Sequence, residues 1–459
     1  MPDTAPAGAP ASKFANLPSN FAPDGIVGGI PAAVPKPIPV TPAPTPPLVL
    51  FVPDTQSVSG RTVTVSSASQ LLAAAKAAKA GDTILLAPVN FGDVSLSNVR
   101  PKGAITIKSA DPGNDAVFRS LNMMNSSNIV IQDIDINRPL ALGASQNSYA
   151  VNVGRASNIT FVGIDVSGSM NNDARDDGLG MSLNGSRISV IDSTFTQLRT
   201  AVAAAGSDFL FAGNTITQVR QGMTIRSMTR ALVDSNYAAD FQSDYDKKEH
   251  PDVFQVHSGS GANASSELIF RNNVMLPGAN GFVGGIYIQS EAYLTGRLDQ
   301  RHENIIIENN YYEGNYRHAI TVNNADDVII SNNTVRTGVN VGLVPAINLW
   351  DVRGALVEGN ISPMFLESKN RPSTGIVYAN NIDTWDVKTK KGLDAAQLFS
   401  SEGEGDLDFA RFNTVTNSAA ALAGAGFHAV GEIGNLSGTA AAQMAGWLPG
   451  FDQNFAVFA

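Results

Sequence analysis

A short apolar strand followed by asparagine recurs seven times between residues 209 and 381, and no other feature limits the fold so strongly. It reads Phe209-Leu210-Phe211-Ala212-Gly213-Asn214, Leu232-Val233-Asp234-Ser235-Asn236 and Leu268-Ile269-Phe270-Arg271-Asn272-Asn273. It continues as Ile305-Ile306-Ile307-Glu308-Asn309-Asn310, Val328-Ile329-Ile330-Ser331-Asn332-Asn333, Leu356-Val357-Glu358-Gly359-Asn360 and Ile376-Val377-Tyr378-Ala379-Asn380-Asn381. Successive asparagines lie 22, 37, 37, 23, 27 and 21 residues apart. A base period of about 21 to 23 suits one solenoid coil of three short strands, and the longer intervals are coils carrying loop insertions. The asparagines are expected in turns, bonded to the asparagine of the next coil and to turn backbone.

Earlier coils show the strand without the asparagine, at Ile129-Val130-Ile131, Ile159-Thr160-Phe161 and Ile188-Ser189-Val190. A second strand series runs in step with the first, and two-residue alternation assigns its faces. Val151, Met181, Ala203, Met223, Phe254, Ile286, Ile320 and Ile347 are expected inside; Asn152, Ser182, Ala204, Thr224, Gln255, Tyr287, Thr321 and Asn348 are expected outside. Two positions further on lie Asn184, Gly206, Arg226, His257, Gln289, Asn323 and Trp350, so the outer strip is polar and aromatic, as a sugar chain requires.

The ends differ in kind. Fourteen of the 24 prolines fall in residues 1–53, which favours extended polyproline II and reads as a linker, or as an arm lying along a partner or anchoring the protein to a larger particle. Residues 54–80 hold a short Ala-rich helix around Ser69–Lys79, ended by Gly81, that would cap the open end of a solenoid spanning residues 81–386. Residues 387–459 carry scattered aromatics and read as a C-terminal cap or oligomer contact.

Composition excludes several partners. The net charge of −10 argues against nucleic acid, though a local basic groove can sit on an acidic body. The absence of cysteine removes disulfides and thiolate metal sites. No secretory signal and no run of about 18 apolar residues is visible, so no membrane span is expected.

The coils, the capping helix and the Gly81-Asp82-Thr83-Ile84 start resemble the pectate-lyase-like superfamily. The segments Ile105-Thr106-Ile107-Lys108-Ser109 and Ala116-Val117-Phe118 are similar to the opening of alginate-lyase and chondroitinase-B-like enzymes. The resemblance implies a right-handed parallel β-helix, all-β, with a carbohydrate-gripping face. The superfamily holds polysaccharide lyases, glycoside hydrolases, uronan epimerases and phage tailspikes, and no complete catalytic signature of one member is present. The tailspike likeness implies an extracellular or virion-associated protein, trimeric as that class is, or attached to a larger particle through its N-terminal arm.

Insertions point to the site. Ser167–Asp177 and Ala239–Asp252 leave the solenoid from the same turn three coils apart, roughly 14 Å at the strand spacing. Between them the turns Thr196-Gln197-Leu198-Arg199 and Thr217-Gln218-Val219-Arg220 would stack Arg199 on Arg220 as a seat for a sugar carboxylate, unless each pairs with an acid such as Asp192 or Asp240. Four of the five histidines lie from His250 to His318. For β-elimination, Arg199, Arg220 or Arg226 would neutralise the carboxylate and His257, His250 or Tyr287 would take the C5 proton. Gln255, Lys248, Gln289 and Glu291 would bind substrate. For hydrolysis, Asp252 with Glu291 is the easier carboxylate pair. Neither chemistry requires a cofactor; Ca²⁺ would suit a cluster of Asp173, Asp176 and Asp177. The alternative to an enzyme is a non-catalytic carbohydrate-binding or structural virion protein.

Overall fold

The computed structural model describes residues 60–386 apart from 142, 244–250, 260–262, 279–281 and 339–342, together with the backbone of Ile26–Gly28, Lys391–Gly392 and Gly426. Most of the proline-rich arm (1–53) and of the C-terminal region (387–459) lies outside the described residues, as do Lys248 and His250.

The chain winds as a parallel β-helix. Each strand pairs in parallel with its counterpart one coil on, as in Thr200↔Gln221 through Ala212↔Asp234 and Ile305↔Val328 through Glu308↔Ser331. Three strand columns build each coil. One holds the outer strip, the second begins the asparagine repeat, and the third is short, as in Thr194–Thr196, Thr215–Thr217 and Tyr237–Ala239. Inside, Phe118, Phe161, Phe195, Phe211, Phe254 and Phe270 are fully buried in one core that runs the length of the solenoid. The helix Ala68–Ala77 lies at its N-terminal end, with Ser67 accepting from the Gln70 N–H as N-cap and Leu71 and Ala75 buried in the core. Ile26–Gly28 adds an antiparallel strand to Phe365–Ser368 near the other end. No described helix is long and apolar enough to cross a membrane.

The asparagines form the expected ladder. In all six steps from Asn214 to Asn381, the backbone N–H and the Nδ2 of one asparagine donate to Oδ1 of the next, at 2.8–3.1 Å. Asn214, Asn236, Asn273, Asn310, Asn333 and Asn360 are buried. The residue before each ladder asparagine that is described in the left-handed region (Gly213, Ser235, Asn272, Asn309, Asn332, Gly359 and Asn380) has φ of 51° to 66°. Glycine and asparagine tolerate that conformation best, which explains the recurring Asn-Asn and Gly-Asn pairs.

One register differs from the sequence expectation. Val202, not Ala203, pairs with Met181 and Met223 and is fully buried; Ala204 is also buried, and Ala203 faces outward beside Ser182 and Thr224. Ala205, not Gly206, is the neighbour of Asn184 and Arg226. Hydropathy gives no contrast along Ala203-Ala204-Ala205, so alternation could not fix the phase there.

Candidate functional site

The repeated Thr-Gln-apolar-Arg turns fold alike. Gln197 and Gln218 both take left-handed φ, near 51° and 53°, and their amides join at 2.9 Å. Leu198 and Val219 point into the core. Arg199 and Arg220 then enter the outer-face strands on adjacent coils, where the Gln221 N–H donates to the Arg199 carbonyl at 3.1 Å. Both arginines line a groove of ≈ 500 Å³.

Among the described residues the first insertion reaches the start of the second. The first folds over the short turns: the Asn172 N–H donates to Gln197 Oε1 at 2.9 Å, and the Ala174 N–H donates to Gln242 Oε1 at 2.8 Å. Gln242 Nε2 donates back to Asn172 Oδ1 at 3.2 Å. These bonds tie the first insertion to Gln242, at the start of the second. Within the first insertion the aspartates are separately engaged. Asp173 pairs with Arg175 at 2.6 Å, Asp176 accepts from Asn171, and buried Asp177 accepts from the Ser169 N–H at 2.6 Å and its hydroxyl at 3.0 Å. Among the described residues no group of three or more His, Asp or Glu side chains is placed to hold a metal ion.

The groove crosses five coils. Its floor is small and polar, from Ser182, Thr200, Ala203 and Thr224, with Gln255 held by the Gln221 amide at 2.9 Å. Three arginines line it, Arg199, Arg220 and Arg226, together with His257, and none of the described lining residues is an aspartate or glutamate. Arg199 Nη1 donates to Asn147 Oδ1 at 2.7 Å. Asp192, considered from sequence as a partner for Arg199, is instead a half-buried carboxyl, with Oδ1 unpartnered among the described residues, whose pKa desolvation pushes up to about 6.

His257 follows its strand outward as expected. Arg226 Nε donates to its Nε2 at 2.7 Å. Burial first, and the Arg226 charge second, hold the imidazole pKa down to about 4, so it is uncharged at neutral pH. Glu291 acts in the opposite direction.

Four expected site residues lie elsewhere. Asp252 is buried beneath the start of its strand, with Oδ2 unpartnered among the described residues; burial holds its carboxyl well above the usual carboxylate range. Tyr287 is largely enclosed, its hydroxyl donates to Gln289 Oε1 at 2.8 Å, and burial raises its pKa. Gln289 also accepts from Asn323 and donates to Glu291. Glu291 accepts the N–H groups of Ser258 and Gly259 at 3.1 and 3.2 Å. None of the four lines the groove, so the Asp252–Glu291 hydrolytic pair and the Tyr287 base find no support in this geometry.

Sequence reasoning missed Asn147 and Tyr149 as site residues. Tyr149 heads the groove in register with Leu179, and burial raises its pKa while Arg226 and Arg199 oppose that shift. Register with Leu179, Thr200 and Gln221 was the available signal. Asn147 lies in a non-repeating loop and had none.

Protein-family models give no match to the chain, and neither do curated proteins. Solved structures do. It is similar to the PL6 family alginate lyase AlyGC at 13% identity and TM-score 0.44, covering 81% of this chain and 57% of that one. It is similar to a PL6 family polysaccharide lyase from Pseudopedobacter saltans at 12% and 0.44, covering 72% and 95%. It is similar to the Dettilon tailspike protein at 13% and 0.44, covering 68% and 64%. The chain thus spans little over half of the alginate lyase. The parallel coils already described rest on the strand pairing of this chain itself. At these identities the likeness is one of fold, and no residue's role follows from it.

Proposed function

We propose that this protein binds an acidic polysaccharide in the groove and cleaves it by β-elimination. One observation carries the reading: on a chain of net charge −10, three arginines line the groove and no described lining residue is acidic. Such a basin selects carboxylates, because guanidinium pairs them with two parallel hydrogen bonds. Arg199, Arg220 and Arg226 would neutralise a uronate carboxylate and so acidify the C5 proton. His257, uncharged at neutral pH, would accept that proton. The C5–H electron pair then forms the C4–C5 double bond, the C4–O4 bond breaks, and O4 takes a proton from water.

Lyase chemistry is favoured over hydrolysis because no carboxylate pair lines the groove among the described residues. Cleavage of such a polymer would suit a protein working outside the cell or on a virion. Incubation with polymers of galacturonate, guluronate, mannuronate and glucuronate tests the reading through the ultraviolet absorbance of the new double bond. Absorbance lost in His257→Gln is the expected result. No double bond from any of these polymers would remove the lyase assignment.

A second reading is favoured by a specific contact. Arg226 already occupies His257 Nε2, which suits a groove that binds and does not cleave. Uronate binding without products, unchanged in His257→Gln, would select it.

A further inference from the structure

In the empty groove the roles assigned to Arg226 and His257 exclude one another. A neutral imidazole has one lone-pair nitrogen, and here Nε2 receives the Arg226 Nε–H at 2.7 Å. The base is therefore covered by the group meant to hold the substrate. Arg226 itself is exposed on the groove side and has no carboxylate partner among the described residues. A guanidinium bonded to a neutral ring nitrogen gains by exchanging it for a carboxylate, which offers charge and a second hydrogen bond.

We propose that Arg226 is a lock on His257 that the substrate's own carboxylate opens. The proposal rests on the acidic-polysaccharide reading and adds an order of events to it. A uronate entering beside Arg199 and Arg220 draws the Arg226 fork off the imidazole, and only then is Nε2 free to take the C5 proton. Departure of the cation and arrival of an anion act on the imidazole in the same direction, making it more basic while substrate is bound. The other titratable groups facing the ring are Glu291 and His302. Both are fixed, Glu291 by the Ser258 and Gly259 N–H groups and buried His302 by the Ser265 N–H at 2.9 Å, so Arg226 is the mobile member. A neutral saccharide of the same shape would occupy the groove without releasing the base. Arg226 thus makes turnover conditional on the substrate's charge.

The test follows the imidazole directly. Full-length protein carrying ¹⁵N-histidine is titrated by NMR with His257 assigned through His257→Gln, alone and with galacturonate, guluronate, mannuronate or glucuronate oligomers. Binding is measured in parallel by calorimetry, with neutral cello-oligomers as control. A bound uronate oligomer is expected to raise the His257 pKa by about one unit or more, the scale of a nearby charge. Arg226→Gln is expected to raise it in the empty protein, with uronate then adding less, and Arg226→Lys is expected to fall between. An oligomer that binds without moving the His257 titration overturns the lock and leaves the binding reading standing. So does an Arg226→Gln protein whose empty-state His257 titrates as in the wild type. Failure of every uronate oligomer to bind overturns the acidic-polysaccharide reading and the lock with it.

Discussion

Replacing Asn310 with alanine tests whether the asparagine ladder holds the coils together. Its side chain is about 1% exposed. Oδ1 accepts from the backbone N–H of Asn273 at 3.1 Å and from its Nδ2 at 2.8 Å. Its own Nδ2 donates to the Phe270 carbonyl and to Asn333 Oδ1, both at 2.9 Å. Nδ2 also donates to the Glu308 carbonyl at 3.0 Å, so truncation removes all five bonds and strands the Asn273 N–H in the interior. A stranded buried donor costs about 1–3 kcal/mol and each bond lost about 0.5–1.5 kcal/mol. These contributions overlap, so the expected loss is about 3–5 kcal/mol. In a solenoid this falls on the coils that meet at the break. Denaturant unfolding measures the loss, and exchange of the Asn273 amide locates it. Asn309→Gly is the control, since its φ of 51° is one glycine adopts freely; it should change stability by no more than about 1 kcal/mol. If Asn310→Ala unfolds like the wild type and the Asn273 amide stays protected, the ladder does not stabilise the coils.

Two further predictions concern titration and the base. Asp192 has a folded pKa near 6, above its ordinary 3.8, so folding favours its neutral form. Stability is therefore lost as pH rises from about 4 to 6, and Asp192→Asn should recover up to about 3 kcal/mol above pH 6 and little below pH 4, as denaturant unfolding at several pH values would show. Tyr287→Phe should leave the rate of double-bond formation within about threefold of wild type, because its hydroxyl serves Gln289 rather than the groove; a loss comparable to that in His257→Gln would make Tyr287 the base instead.

The fold was legible because its signal is periodic. Each Asn-Asn or Gly-Asn pair marks a left-handed residue followed by a ladder residue, and the repeat places both without knowledge of the rest of the chain. The placing of Arg199 and Arg220 on adjacent coils followed in the same way from two similar turns. Periodicity fails where side chains carry no contrast, as at Ala203-Ala204-Ala205, where the phase slipped by one residue. It also fails in insertions. The bridge from Asn172 and Ala174 to Gln242 joins residues 70 and 68 apart in sequence, and nothing periodic announces it. Outer-face alternation placed Tyr287, and position at the insertions placed Asp252 and Glu291, among the catalytic and binding candidates; burial and local hydrogen bonds take them out of the groove.

Calorimetric binding of uronate oligomers to the wild type and to the Arg199→Ala/Arg220→Ala double variant tests most directly whether the groove selects carboxylates. A charged hydrogen bond is worth about 1.5–3 kcal/mol, reduced here by partial exposure, so the double variant should bind about 10- to 100-fold more weakly. The wild-type affinity should fall as salt rises. A double variant that binds uronate as tightly as the wild type, or a wild type that holds a neutral glucan equally well, would contradict it.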